Sequence, residues 1–323
     1  MAFLFATYLN VNKKKGCGLM AESLFNRQGA ERLKKRVVEG DSERGNRLAG
    51  ALYNQFQALH TQDYFPDYEI ESLLIEQKKK DLSLIKECSK LPEGLIVFSP
   101  SSASACGRGL FFKANKEEKD EVQRYPYQRR WTRNSSAVHE AVQRDLLYSE
   151  KALENPVFKV HRLDSGLPAW EQNIKKCVVI EHNGVRFALN GMCDGILNYT
   201  IDDSKVLFEF KTKSTTIGAV GTYKLKGVSE EHRVQAIAYS ILFGVDECIF
   251  TYESVAKDGW TKGEEAKIDL RTFYIKITEE DRKELLDRLS KIAKQYYNNE
   301  IPAKEDKCFF CVYKNACEKV ERA

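Results

Sequence analysis

The stretch from Asn190 to Lys213, NGMCDGILNYTIDDSKVLFEFKTK, decides how this chain is read. Its β-branched and aromatic residues fall in two runs, with Ile201-Asp202-Asp203-Ser204 between them, which predicts two strands joined by a turn. Side chains alternate faces along a strand. Glu209 and Lys211 therefore project together, while Phe210 goes to the opposite, core side. A two-residue turn centred on Ile201-Asp202 or on Asp202-Asp203 sets Asp194 across from Glu209 or from Lys211. Either register places the three side chains on one face, and a three-residue loop would not.

Two carboxylates converging on one point repel unless something cationic sits between them. Hard oxygen ligands of this kind suit Mg2+ or Mn2+. Such an ion polarises a phosphodiester and acidifies a bound water, while a neighbouring lysine orients that water and stabilises developing negative charge. The chemistry this points to is phosphodiester hydrolysis. An isolated Glu-x-Lys is also what a solvated strand face with a simple ion pair looks like, so the tripeptide alone decides nothing.

Three further residues bear on the choice. His139 lies on a helix expected before the sheet, AVHEAVQRDLLYSEKAL, beside the apolar stripe of Val138, Val142 and Leu146. An imidazole there can offer a nitrogen ligand. Gln235 and Tyr239 are four residues apart on a later helix, EEHRVQAIAYSILFG, and share one of its faces. Each of these residues is unremarkable by itself.

Taken in order, His139, Asp194, Glu209-x-Lys211 and Gln235-x-x-x-Tyr239 resemble the motif series of RecB-like nucleases in the PD-(D/E)xK superfamily. NGMCDGIL fits the family's small-x-x-Asp-apolar strand, and the resemblance extends over roughly residues 96 to 318. It implies an α/β fold of the restriction-endonuclease type, a mixed central sheet flanked by helices. It further implies that His139, Asp194, Glu209 and the backbone carbonyl of Phe210 hold the catalytic Mg2+ or Mn2+. Lys211 would assist the nucleophilic water, and Gln235 and Tyr239 would hold the site and the DNA strand.

The nine cysteines are an odd number in a long chain, which favours metal or cluster ligation over disulfides. Cys308, Cys311 and Cys317 form C-x2-C-x5-C, and Cys106 is the natural fourth ligand. Cys177, Cys193 and Cys248 fall in expected strands and read as small buried apolar residues; Cys17 and Cys88 fall in a helical N-terminal part. One cysteine ahead of the core and three behind it is similar to the pattern of iron-sulfur nucleases, the Cas-four-type CRISPR-associated exonucleases and AddB nuclease domains. That likeness implies a 4Fe-4S cluster in a C-terminal iron-sulfur tail, a staple and not a redox catalyst. Zinc in the same thiolates stays open as an alternative. Either group closes a loop of roughly 200 residues, a constraint that removes much unfolded-state entropy.

Around these motifs the pattern is helical from about residue 20 to residue 92. Pro92-Glu93-Gly94 then breaks it, which predicts a helical region over 1–95, of unknown role or binding a partner protein, and a nuclease domain over 96–323. Ser99-Pro100-Ser101-Ser102 reads as a helix start. KCVVIEH, VRFALNGMCDGILNYT and KVLFEFKTK read as a three-strand meander with a tight turn at Asn183-Gly184. CIFTYESV, TFYIKI and a last amphipathic helix, DRKELLDRLSKIAKQYY, complete the expectation.

A formal charge of +4 among many charges of both signs means that any DNA-binding surface is local. Arg124 to Arg133, RYPYQRRWTR, interleaves basic and aromatic residues. Arg129, Arg130, Trp131 and Arg133 are therefore candidate contacts to exposed bases and phosphates, with Lys213, Lys224 and Lys226 beyond the Lys211 strand. A loop that packs its aromatics on the core and leaves its arginines in water has the same composition. The phosphate-cradling GxxxxGK[ST] loop is absent, so no ATP motor is read here. MAFLFATYLNVNKKKG reverses the order of a secretory signal, and the longest apolar run, near Ala236 to Val245, is too short to cross a bilayer, so a soluble, intracellular, cytoplasmic protein without a membrane partner is expected.

The reading that follows is a Mg2+- or Mn2+-dependent deoxyribonuclease, an exonuclease or end-processing enzyme acting on single-stranded DNA or DNA ends. Two alternatives stand beside it. One is a non-catalytic or partner-regulated nucleic-acid-binding factor that keeps the fold. The other is a zinc-containing DNA- or RNA-binding protein in which the Glu-x-Lys is incidental.

Overall fold

Strand β6, Ser204–Lys213, is the centre of the protein, and the alternation read from its sequence is what buries it. Val206, Phe208 and Phe210 face one layer of helices while Leu207 and Glu209 face another, so the strand is covered on both sides. A computed structural model gives the surroundings. It describes residues 43–63, 66–86, 91–213, 215–306 and 310–322, within a compact unit spanning Glu39–Ala323.

The five-stranded sheet runs in the order β2 (Phe158–Val160), β5 (Gly195–Tyr199), β6, β7 (Glu247–Ser254), β8 (Leu270–Lys276). Only β6 and β7 are parallel, and helix α5, Glu230–Phe243, makes the crossover between them. A second, three-stranded sheet orders β1 (Val97–Phe98), β4 (Val185–Gly191) and β3 (Lys176–His182). Helix α5 is buried on nearly all sides, by β6 on one face and by β4 and helix α6 (Glu279–Tyr297) on others. The mixed sheets flanked by helices agree with the expected α/β class.

The three-strand meander is corrected. KCVVIEH and VRFALNG do form a hairpin, with Asn183 and Gly184 at φ of 50° and 71° as a tight turn between right-twisted strands demands. The chain then leaves that sheet after Gly191. An added Cβ at Gly191 would lie 2.5 Å from the ring of Pro100, so the packing there admits no side chain. Met192 to Asp194 bridge to β5 in the other sheet, and only β5 and β6 continue as the expected pair. Ser-Pro-Ser-Ser is likewise a single 3-10 turn, Pro100–Ser102; the helix behind it, α3, starts later, at Gly107–Ala114.

The break at Pro92-Gly94 does not separate two bodies among the described residues. Helix α1, Glu43–His60, buries Leu48, Leu52, Phe56 and Leu59 against α4, Pro126–Ala152, and against Phe158 and Phe208 of the sheet. Gln55 of α1 pairs with both backbone groups of Phe158, accepting from its N–H at 2.7 Å and donating to its carbonyl at 2.8 Å, so it satisfies the edge of β2. Arg44 grips Glu247 through two hydrogen bonds of 2.8 Å and Asp202 at 2.6 Å. A single buried contact network thus joins residues 43–86, including helix α2 at Tyr68–Lys86, to the sheet, and sequence periodicity had no means of showing it. The expectation for residues 1–42 lies outside the described residues, as do Cys17 and Cys88. Among the described residues, no helix is long and apolar enough to cross a membrane.

Candidate metal-dependent active site

The β5–β6 register pairs Tyr199 with Ser204 and Gly195 with Phe208, so four residues, Thr200–Asp203, connect the strands in place of the expected two-residue turn, with the centre at Ile201-Asp202, the first of the two expected. One step further along the ladder, Asp194 stands opposite Glu209. Asp194 no longer pairs as a strand residue; its carboxylate accepts the backbone N–H of Phe210 at 2.8 Å. The N–H and C=O of one strand residue point to the same side, so the Phe210 carbonyl faces the gap that β5 leaves open beyond Gly195.

Glu209 is the buried floor of the site, with 2 % of its side chain exposed. One of its oxygens, Oε1, accepts from Lys211 Nζ at 2.5 Å and from the Gln235 amide at 2.9 Å. The same Gln235 amide also donates to Tyr239 Oη at 2.7 Å, which is how the two residues on one face of α5 act together. The other oxygen, Glu209 Oε2, is buried and has no hydrogen-bond partner. A buried carboxylate oxygen without a partner is costly, and a cation ligand is one of the few things that suits it.

His139, Asp194 and Lys211 form the rim, at 25 %, 19 % and 22 % exposure. His139 comes from the opposite side of the sheet to Gln235, its ring edge-on to Phe210 with centroids 5.0 Å apart and its Nδ1 3.8 Å from the Asp194 carboxylate. Burial, then the charge of Asp194, lifts the Glu209 carboxyl from its ordinary 4.5 up to about 8, against the pull of Lys211. Burial raises Asp194 as well, opposed by His139, the Phe210 N–H and Lys211. Burial lowers His139 despite Asp194. These side chains therefore feel one another, and the site as it stands carries more negative charge than its surroundings solvate.

Among the described residues no three His, Cys, Asp or Glu side chains stand as a ready-made ligand group for one ion. Lys211 holds the carboxylate that an ion would take, so binding requires the ammonium to shift from Glu209 Oε1 or the ion to use Oε2. The donor set, two carboxylates, one imidazole and a backbone carbonyl, fits a hard divalent cation.

Sequence reasoning missed three residues here. Gln143, one turn after His139 on α4, donates to the Asp194 carbonyl at 3.2 Å; its i+4 spacing from His139 was legible. Glu171 opens a short 3-10 turn, Glu171–Asn173, at φ +42°, and its carboxyl is raised by burial and then by Asp194. No spacing rule pointed to it. His232, on α5 beside Lys211 and Lys213, was also unread; burial and those two lysines push it down to about 4, and its Nδ1 lies 2.8 Å from Tyr252 Oη.

The basic-aromatic stretch is not a loop. It forms the first turns of α4, begun by Pro126 and by the Gln128 side chain accepting from the Tyr125 N–H at 2.9 Å. Arg129, Arg130, Trp131 and Arg133 are exposed, and Tyr125, Tyr127 and Trp131 contact one another in sequence with centroids 5.9 Å apart. Ser135 of the same helix meets Thr212 at 2.6 Å, next to Lys211. Lys213 lies over the Tyr252 ring at 5.5 Å, and Lys224 and Lys226 are exposed.

Cys106, the residue before α3, lines a cavity of about 160 Å3 with Cys311 and Cys317. Arg108 donates to the Cys317 sulfur at 3.1 Å. Cys308 lies outside the described residues. Cys193 and Cys248 are buried as expected, but Cys177 is exposed, because β3 is an edge strand with one side to solvent.

No family model matches the chain, and no curated protein matches it significantly. Among solved structures it is similar to SSO0001, with 14 % identity over 79 % of this chain and 98 % of that one at a TM-score of 0.39. It is also similar to the alkaline exonuclease LHK-Exo from Laribacter hongkongensis, with 12 % identity over 64 % of this chain and 92 % of that one at a TM-score of 0.39. The same exonuclease in complex with dAMP gives 12 % identity over 70 % and 94 % at a TM-score of 0.38. Likenesses this remote assign no activity to this chain.

The raised Glu209 carboxyl has a consequence for stability. Between its ordinary value and about 8, the metal-free folded chain holds a proton that the unfolded chain has released. Stability from this group is then highest at low pH and falls as pH rises through that window. Urea unfolding in EDTA across this range is expected to show the wild type losing stability relative to Glu209→Gln, at up to ~1.4 kcal/mol per pH unit. Parallel profiles for the two proteins would contradict the assignment.

Proposed function

We propose that this protein is a Mg2+- or Mn2+-dependent nuclease that hydrolyses phosphodiester bonds in DNA. The observation that carries the reading is the meeting of Asp194, Glu209 and Lys211 at one end of β5 and β6, with a buried Glu209 oxygen left unpartnered. Asp194, Glu209, His139 and the Phe210 carbonyl would hold the ion. When bound, it polarises the phosphodiester and acidifies a coordinated water.

The chain's own residues do the rest. Gln235 holds Glu209 from below through the amide that also engages Tyr239, fixing the carboxylate before substrate arrives. Lys211 places an ammonium at the partly open rim, where it would orient the attacking water and steady negative charge on the phosphoryl oxygens. Unlike a solvated strand face, this arrangement buries its acid, which supports a site over a simple surface ion pair.

The substrate follows from α4. Its exposed arginines and its run of Tyr125, Tyr127 and Trp131 suit a single strand or a frayed DNA end, whose phosphates and unstacked bases they can engage together. Cys106, Cys311 and Cys317, with Cys308, would bind a 4Fe-4S cluster that ties the start of this region to its end. The three described thiols line one cavity, which supports a shared group held among them.

Lys211→Ala and Asp194→Ala are each expected to keep the wild-type circular dichroism and to lower Mn2+-dependent cleavage of end-labelled DNA by ~100-fold or more. Retained cleavage in both variants overturns the proposal and leaves a binding factor. For the cysteines, anaerobically purified protein is expected to be brown with iron bound, and Cys106→Ala to lose both colour and thermal stability. A colourless protein holding zinc would establish the other ligand.

A further inference from the structure

We propose that Glu171 supplies a third carboxylate to the cation site, an inference that rests on reading Asp194 and Glu209 as cation ligands. The loop between β2 and β3 brings it there. Ala169 continues the ladder beside β5, its carbonyl accepting from Ile196 N–H at 2.9 Å, and Glu171 N–H then donates to the Cys193 carbonyl at 2.8 Å, next to Asp194. The backbone of Glu171 adopts φ +42°, a left-handed conformation that residues with a side chain take up at a cost and that recurs at functional sites.

The side chain shares a cavity with one residue of the rim, His139. Glu171, His139 and Gln143 line one cavity of about 1080 Å3, walled on its far side by α2. Gln143 couples the pieces: four residues after His139 on α4, it donates to the Asp194 carbonyl at 3.2 Å and engages the Glu171 carboxylate. Lys78 and Asp81 of α2 line the same cavity with opposite charges, so they leave the repulsion between Glu171 and Asp194 largely unanswered, and a glutamine at 171 would serve Gln143 as well. A third acid beside two others is stabilising only with a cation among them.

Titration of the full chain with Mn2+ alone, followed by calorimetry and by the Mn2+ paramagnetic resonance signal, tests this without substrate. Glu171→Gln is expected to weaken Mn2+ binding by ~10-fold or more, the scale seen when a group supporting a metal site is lost. Glu171→Asp, which keeps the charge, is expected to recover most of the affinity. The metal-free melting temperature of Glu171→Gln is expected to equal or exceed that of wild type, since a like charge beside Asp194 is gone. Wild-type affinity in Glu171→Gln overturns the role of Glu171 and leaves the site standing. A lowered metal-free melting temperature assigns Glu171 a structural task and overturns it too. Failure of the wild type itself to bind Mn2+, with Glu209→Gln indistinguishable from it, removes the cation site and this inference together.

Discussion

Two acids where β5 gives way beside β6, one buried and one at the rim with a lysine, constrain the rest of this molecule. Glu209 is almost wholly buried, yet its neighbourhood contains Asp194, so the local charge is repulsive without a counter-ion. Lys211 answers part of that repulsion, and Gln235 and the Phe210 N–H answer more of it by hydrogen bonding to the two carboxylates. Burying charge in this way is expensive, and a fold keeps such an arrangement where the charge has work to do.

The scaffold makes the arrangement rigid. β6 is central, so its residues up to Phe208 are held by ladders on both sides, and Glu209 and Lys211, just past the end of β5, are held by the ladder to β7. Helices from opposite faces then meet at that point: α5 brings Gln235 and Tyr239 from one face, and α4 brings His139 and Gln143 from the other. Helix α1 backs the sheet on the α4 side, and its grip on β2, β7 and the β5–β6 turn through Gln55 and Arg44 makes residues 43–60 part of the site's support.

What was legible in the sequence was what local periodicity encodes. The alternation in KVLFEFKTK gave the shared face of Glu209 and Lys211, and either expected turn centre put Asp194 on that face; the strand pairing then sets Asp194 opposite Glu209. The i+4 spacing of Gln235 and Tyr239 translated directly into a shared hydrogen bond. The rest depended on contacts distant in sequence. The passage from β4 to β5 changes sheets because Pro100 fills the space beside Gly191, roughly ninety residues away along the chain, and no local pattern records that. β1 and β2 are too short to alternate visibly, and Glu171 reaches the site through loop hydrogen bonds to Cys193, with no repeat to announce it. The basic-aromatic stretch was misjudged as an approach to a helix because its polar surface hides the helical period; it is exposed on all sides as the projecting first turns of α4.

The central claim is that Asp194, Glu209 and His139 share one cation. Crystals of the full chain soaked in Mn2+ and measured at the manganese absorption edge address it directly, because the anomalous signal locates the ion without reference to activity. One peak is expected within about 2.3 Å of carboxylate oxygens from both Asp194 and Glu209, with the His139 ring and the Phe210 carbonyl completing the shell and Lys211 displaced from Glu209. A peak elsewhere, or none at saturating Mn2+ with the Lys211–Glu209 pair intact, contradicts the account.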